Sequence, residues 1–176
     1  MLLVHLGEFE IATGKVVVSD PCYKLGSDQI CMGMLDQVVN GMWRAQVEKT
    51  EVRDWGEVNA KITAYHHSFV EQLDHLLWVK CPFVVGVDSG QAGIFDAEKY
   101  RVPDAGAQSE ASDADSDWYL ACCDITESAE EAGVLEGGVV SRSGMGDGGY
   151  GAYYAVNEQQ QVIAVKIVFM KVPEWQ

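Results

Sequence analysis

Val84-Val85-Gly86-Val87-Asp88-Ser89-Gly90-Gln91-Ala92-Gly93-Ile94-Phe95-Asp96 is the stretch whose reading decides the fold. An apolar run ends at an acidic residue, small residues and Gln91 follow, and a second apolar run is closed by Asp96. The pattern predicts a strand over Cys81–Asp88, a tight turn at Ser89-Gly90, and a second extended element. The unbroken apolar run predicts an interior position in its sheet for Val84–Val87. Gly86, Gly90 and Gly93 give the backbone freedom here, and a carboxylate just past a buried strand on such a backbone is a common place to build a site.

Outward from that centre the chain reads as short strands. Leu2–Leu6, Phe9–Ala12 and Lys15–Ser19 are strand candidates, and Asp20-Pro21 ends the last because proline cannot continue a ladder. Gly26 to Val39 fits either a short helix or a long loop. Trp43, Ala45 and Val47 alternate with polar residues, as do Val58, Ala60, Ile62 and Ala64, and Asp54-Trp55-Gly56 joins the two as an antiparallel hairpin. Phe69, Leu73, Leu76 and Leu77 fit one helix over Ser68–Trp78. Residues 103–117 read as an acidic surface loop. Trp118, Ala121, Cys122 and Ile125 fit a second helix, with Asp113, Asp115 and Asp117 favouring its N-terminus. Val139–Ser143 is a short strand, and Tyr150–Val156 with Val162–Val172 forms a last hairpin. The fold class is mainly β (α+β): a single globular domain over residues 1–176, an antiparallel sandwich or barrel with one or two short helices.

Composition bounds the function. A chain of 176 residues that is 48% hydrophobic buries a real core. Its net charge of −15, from 27 acidic and 12 basic residues, repels phosphates and argues against nucleic acid and anionic membranes. It suits a basic protein partner or a divalent cation, Ca²⁺ or Mg²⁺, although the favoured reading is that it only keeps the protein soluble. No apolar run is long enough to span a membrane and no signal peptide opens the chain. The cysteines at 22, 31, 81, 122 and 123 lack zinc-type spacing and predict reduced thiols in a cytoplasm.

Three motifs stand out: Ser19-Asp20-Pro21-Cys22-Tyr23, Val87 to Asp96, and Ser143-Gly144-Met145-Gly146-Asp147-Gly148-Gly149-Tyr150 with Tyr153. Together they resemble a bacterial family catalogued as domain of unknown function 4241, over about Gly14 to Phe169. The resemblance implies one compact domain in which the motifs belong together, and it implies no activity.

Each motif sets an aspartate (Asp20, Asp88, Asp147) beside proline or glycine near a strand end. Convergent carboxylates would ligate Ca²⁺ or Mg²⁺, or act as acid and base. Each could also do no more than cap its own turn. Asp88-Ser89-Gly90 has the form of an aspartic-protease triplet, but the chain holds only one. The glycines at 144, 146, 148 and 149 lack the Lys-Ser/Thr of a phosphate loop. Asp113, Asp115, Asp117 and Asp124 have calcium-loop spacing but place Trp118 where that loop needs glycine. His66, His67, His75 and Cys81 match no zinc set. Cys22, beside Pro21 and Tyr23, has the placement of a nucleophile, but no pattern ties a histidine to it and a buried, inert thiol is the favoured reading.

The expectation is therefore an acidic binding protein, of the inhibitor or immunity type. It would hold a small molecule or a basic partner at a rim formed by Asp20, Cys22, Tyr23, Asp88, Ser89, Gln91, Asp147 and Tyr150. The alternative is a hydrolase-like enzyme with Asp88 and Asp147 as acid/base or metal ligands and Ser89 nearby.

Overall fold

The computed structural model describes residues 1–25, 31–101 and 117–171. It is a sandwich of two antiparallel sheets. The chain runs β1 (Leu2–Ile11), β2 (Val16–Ser19), β3 (Gly33–Leu35), β4 (Gly41–Val52), β5 (Gly56–His66), a 3-10 helix (His67–His75), β6 (Val79–Val87), β7 (Gln91–Asp96), α1 (Asp117–Thr126), β8 (Ala132–Leu135), β9 (Gly138–Arg142), β10 (Gly148–Val156) and β11 (Val162–Val168). The larger sheet has the order β1-β4-β5-β11-β10-β6 and the smaller β3-β2-β7-β9-β8.

Strand alternation places the core. Trp43, Ala45 and Val47 on β4, Ile62 and Ala64 on β5, and Val165 and Ile167 on β11 point inward and are buried. All of these but Val47 share one apolar cluster with Val16 and Val18 of β2, Ile94 of β7 and Val139 of β9 from the facing sheet. Fully burying each such aliphatic side chain contributes about 1.5–3 kcal/mol. The β4–β5 hairpin turns as its sequence requires, with Asp54 and Gly56 both at positive φ. The smaller sheet's outer face is covered by α1, where Phe95, Tyr100 and Trp118 pack ring against ring.

Several expectations need correction. The run Val84–Val87 is not in an interior strand: β6 is the edge of the larger sheet, paired with β10 alone. Its burial alternates accordingly, with Val85 and Val87 buried and Val84 49% exposed. Pro82 carried the missed signal, since a residue with no N–H belongs at a sheet edge. The second half of the quoted stretch, β7, is instead buried along its whole length, at the centre of the smaller sheet.

The two strands expected before Ala12 are one, β1, with a register shift at Gly7 (φ +131°). The helix over Ser68–Trp78 is a 3-10 segment, kinked at Phe69 and without a buried residue. Its apolar spacing instead serves the outer face of the larger sheet, where Leu73, Leu76 and Trp78 cover Tyr65, Ala155 and Ala164. The short strands β3 and β8 were too brief to show a period. The calcium-loop spacing is overruled, because Asp117 and Asp124 lie within α1, while Asp113 and Asp115, like most of the expected 103–117 loop, fall outside the described residues.

Candidate functional site

The topology makes one corner unlike the rest. Between β6 and β7 the chain crosses from the edge of one sheet to the middle of the other, and between β9 and β10 it crosses back. Because β6 pairs with β10 and β7 with β9, the two crossings run side by side. The Gly90 N–H donates to Asp147 Oδ1 at 2.9 Å, and the Ser143 N–H donates to the Gly90 carbonyl at 3.0 Å. Gly90 has φ +71° and open space where a Cβ would stand, so its glycine serves the turn. Gly86 and Gly93 have a different reason. A Cβ would stand 2.9 Å from the Cys31 Cβ at the first and 2.3 Å from the Val139 carbonyl at the second, so both permit close approach rather than backbone freedom.

The third motif arrives through β2, which pairs with β7 up to Ser19↔Gly93 and delivers Asp20 against the crossing. Asp20 is fully buried. Its Oδ1 accepts from the Cys22 N–H at 2.8 Å and the Ser89 hydroxyl at 2.5 Å. Its Oδ2 accepts from the Asp88 N–H at 2.8 Å and the Ser89 N–H at 2.7 Å. A carboxylate offers about four lone-pair sites, so this one is filled by the protein and clamps two loops together. Tyr100, absent from the sequence-derived set, supports the clamp from behind: its hydroxyl donates to the Tyr23 carbonyl at 2.5 Å and the Asp20 carbonyl at 3.0 Å. Arg101 Nη1 donates to the Pro21 carbonyl.

The remaining expected residues divide by where they face. Asp88 and Asp147 are exposed. The Tyr23 hydroxyl donates to Asp88 Oδ2, and that bond, ahead of burial, holds the phenol above its ordinary range. Met145, 45% exposed, stands in the same loop as Asp147. Cys22 is half-buried; desolvation first, then the Asp20 charge, pushes its thiol up to about 12. Gln91 does not reach the rim: buried, it donates to Cys123 Sγ at 3.5 Å and accepts from the Thr126 hydroxyl at 3.2 Å, tying α1 to β7. Tyr150 closes its own loop, donating to the carbonyls of Gly146 at 2.5 Å and Ser143 at 3.1 Å, with its ring edge-on to Phe169. Tyr119 of α1 was also missed; its side chain bonds to Ser89 and Cys123, and burial raises its phenol.

The three motifs thus meet at the Asp88–Gly90 turn, but as a clamp with two outward carboxylates. Among the described residues no group of three or more His, Cys, Asp or Glu is arranged to hold a metal ion, so neither the three aspartates nor the histidines with Cys81 form a ligand set. The Ser89 hydroxyl is committed to Asp20, and Cys22 is held protonated at neutral pH. All five cysteines are free thiols. Among the described residues no helix is long and apolar enough to cross a membrane.

Fold and corner together define a two-sheet antiparallel sandwich whose sheets are laced by paired crossings. Residues 9–167 match the model of the family described as "Protein of unknown function (DUF4241)", and the chain belongs to that family. No curated protein and no solved structure matches it.

Proposed function

We propose that this is a non-catalytic binding protein that takes a basic segment of a protein partner at the corner made by the three motifs. The observation that carries the reading is the division of labour among the aspartates. Asp20 spends its acceptors on the fold, whereas Asp88 and Asp147 sit at the surface on neighbouring crossings, each engaged by one oxygen. A rigid turn holding two exposed carboxylates, on a chain of net charge −15, matches the ammonium and guanidinium groups of a basic peptide. Met145 and the Tyr23 ring offer apolar surface to the stems of lysine or arginine. The hydrolase alternative is less supported, because the hydroxyl and thiol nearest the carboxylates are both turned toward Asp20.

The test is calorimetric titration with a lysine- and arginine-rich peptide, at low and at physiological salt, on wild type and on a variant carrying Asp88→Asn and Asp147→Asn. The reading expects salt-sensitive binding that the double variant loses while melting near the wild-type temperature. Equal binding by both proteins would defeat it.

A further inference from the structure

The outer face of the larger sheet, away from the corner, carries a second arrangement that the binding reading does not use. The register sets Thr63, Lys166, Tyr153 and Lys80 in one row across β5, β11, β10 and β6. Lys61 lies two residues from Thr63 and so on the same face. Trp78, just before β6, is held over this face by its packing with Tyr65, Ala155 and Ala164. The Lys166 ammonium position is 4.2 Å from the Trp78 ring centre and 5.5 Å from that of Tyr153. Lys61 is paired with Glu48. No carboxylate lies within ion-pair reach of Lys166 among the described residues. An acidic protein therefore keeps a half-buried amine between two aromatic rings, flanked by lysines and without a counter-ion among the described residues.

We propose that Lys166 is a nucleophilic amine placed to form a reversible imine with a small carbonyl compound that carries a carboxylate. The neutral amine attacks the carbonyl carbon, the C–N bond forms, and the carbonyl π pair moves to oxygen, which takes up a proton. The carbinolamine then loses water to leave C=N, with no net oxidation or reduction. The aromatic rings bound the space around the new bond. The exposed Lys80 supplies positive charge for the ligand's carboxylate, whereas Lys61 is already paired with Glu48. Burial first, then the Lys61 charge, brings the amine down to about 8; the ring faces favour the ammonium and offset part of this. Of the groups facing Lys166, Glu48 is engaged with Lys61, and the 3-10 segment packed on this face contributes no charge that shifts it. A lysine desolvated beside another cation is the usual setting for imine chemistry.

The experiment is competitive labelling of the whole protein with glyoxylate, trapped by cyanoborohydride and mapped by peptide mass spectrometry between pH 6 and 10, with uncharged acetaldehyde as the comparison. The proposal expects Lys166 to carry about tenfold more adduct near pH 8 than any other lysine, its roughly hundredfold larger neutral fraction being partly offset by the lower intrinsic nucleophilicity of a less basic amine. It expects the pH midpoint to rise in Lys61→Met, and glyoxylate to outperform acetaldehyde at this site alone. Adducts spread over the lysines according to exposure would overturn it, as would a Lys166 midpoint at the ordinary lysine value. Equal labelling by the two aldehydes would overturn the carboxylate preference. The wild-type distribution decides the matter whether or not a variant folds.

Discussion

Replacing Asp20 separates a fold-making carboxylate from a ligand-holding one. Asp20→Ala strands three N–H donors, those of Cys22, Asp88 and Ser89, together with the Ser89 hydroxyl. Removing one partner from a buried charged network costs about 3–5 kcal/mol. Asp20→Asn is a milder change. Its carbonyl oxygen can keep the Asp88 and Ser89 N–H bonds, and its amide can donate to a rotated Ser89 hydroxyl, so only the Cys22 N–H loses its acceptor. One stranded buried donor costs about 1–3 kcal/mol. For a chain of this length each kcal/mol lowers the melting temperature by about 2–4 °C. Urea unfolding should therefore rank wild type above Asn above Ala, with midpoints shifted and the slope unchanged. If Asp20→Ala stayed within about 1 kcal/mol of wild type, below the range for even one lost charged bond, the clamp would be refuted. A rise in stability would point instead to a carboxylate crowded by like charges at a binding site.

Other perturbations have distinct signatures. Gly93→Ala drives a Cβ to 2.3 Å from the Val139 carbonyl and should destabilise by about 1–3 kcal/mol, and Gly90→Ala, with open space around its Cβ, should lose only the left-handed backbone penalty of about 1–2 kcal/mol; thermal melts read both losses. Tyr100→Phe removes a donor from two carbonyls and should cost about 0.5–1.5 kcal/mol or somewhat more at pH 7. Burial raises the folded-state phenol, so the folded protein keeps a proton that the unfolded chain loses above about pH 10. That contribution is complete below pH 10 and falls as pH rises, so the gap between wild type and Tyr100→Phe should narrow in alkaline denaturation curves. Cys22, with its thiol near 12, should be alkylated at pH 8 on the order of tenfold to a hundredfold more slowly than free cysteine, its stronger intrinsic nucleophilicity offsetting part of the lost thiolate; timed iodoacetamide labelling with peptide mapping reads this directly.

The sequence made the sandwich legible where strands alternate. Trp43, Ala45 and Val47, like Val58, Ala60, Ile62 and Ala64, are buried as their alternation predicts, and the turn between the two strands signalled their antiparallel pairing. The burial of the intervening Gln46, Asn59 and Thr63 was not legible, because it depends on what covers the other face. The sequence misled where a run was uniformly apolar. Val84–Val87 reads as buried on both faces, yet Val84 looks outward, because only the pairing partners decide whether a strand is central. The convergence of Asp20, Asp88 and Asp147 was signalled by their places beside proline and glycine. Their unequal roles were not, because burial and donor count depend on which loop lies opposite. Tyr100 and Arg101 were invisible for the same reason: they reach the Asp20–Tyr23 turn across about 80 residues of sequence.

The claim that the corner binds a basic partner through Asp88 and Asp147 is tested most directly by amide NMR during titration with the lysine- and arginine-rich peptide. The account predicts saturable, salt-sensitive shifts confined to Tyr23, Asp88–Gly90 and Met145–Gly148, with the buried β7 amides unmoved. Shifts scattered over the acidic surface, or centred elsewhere, would contradict it.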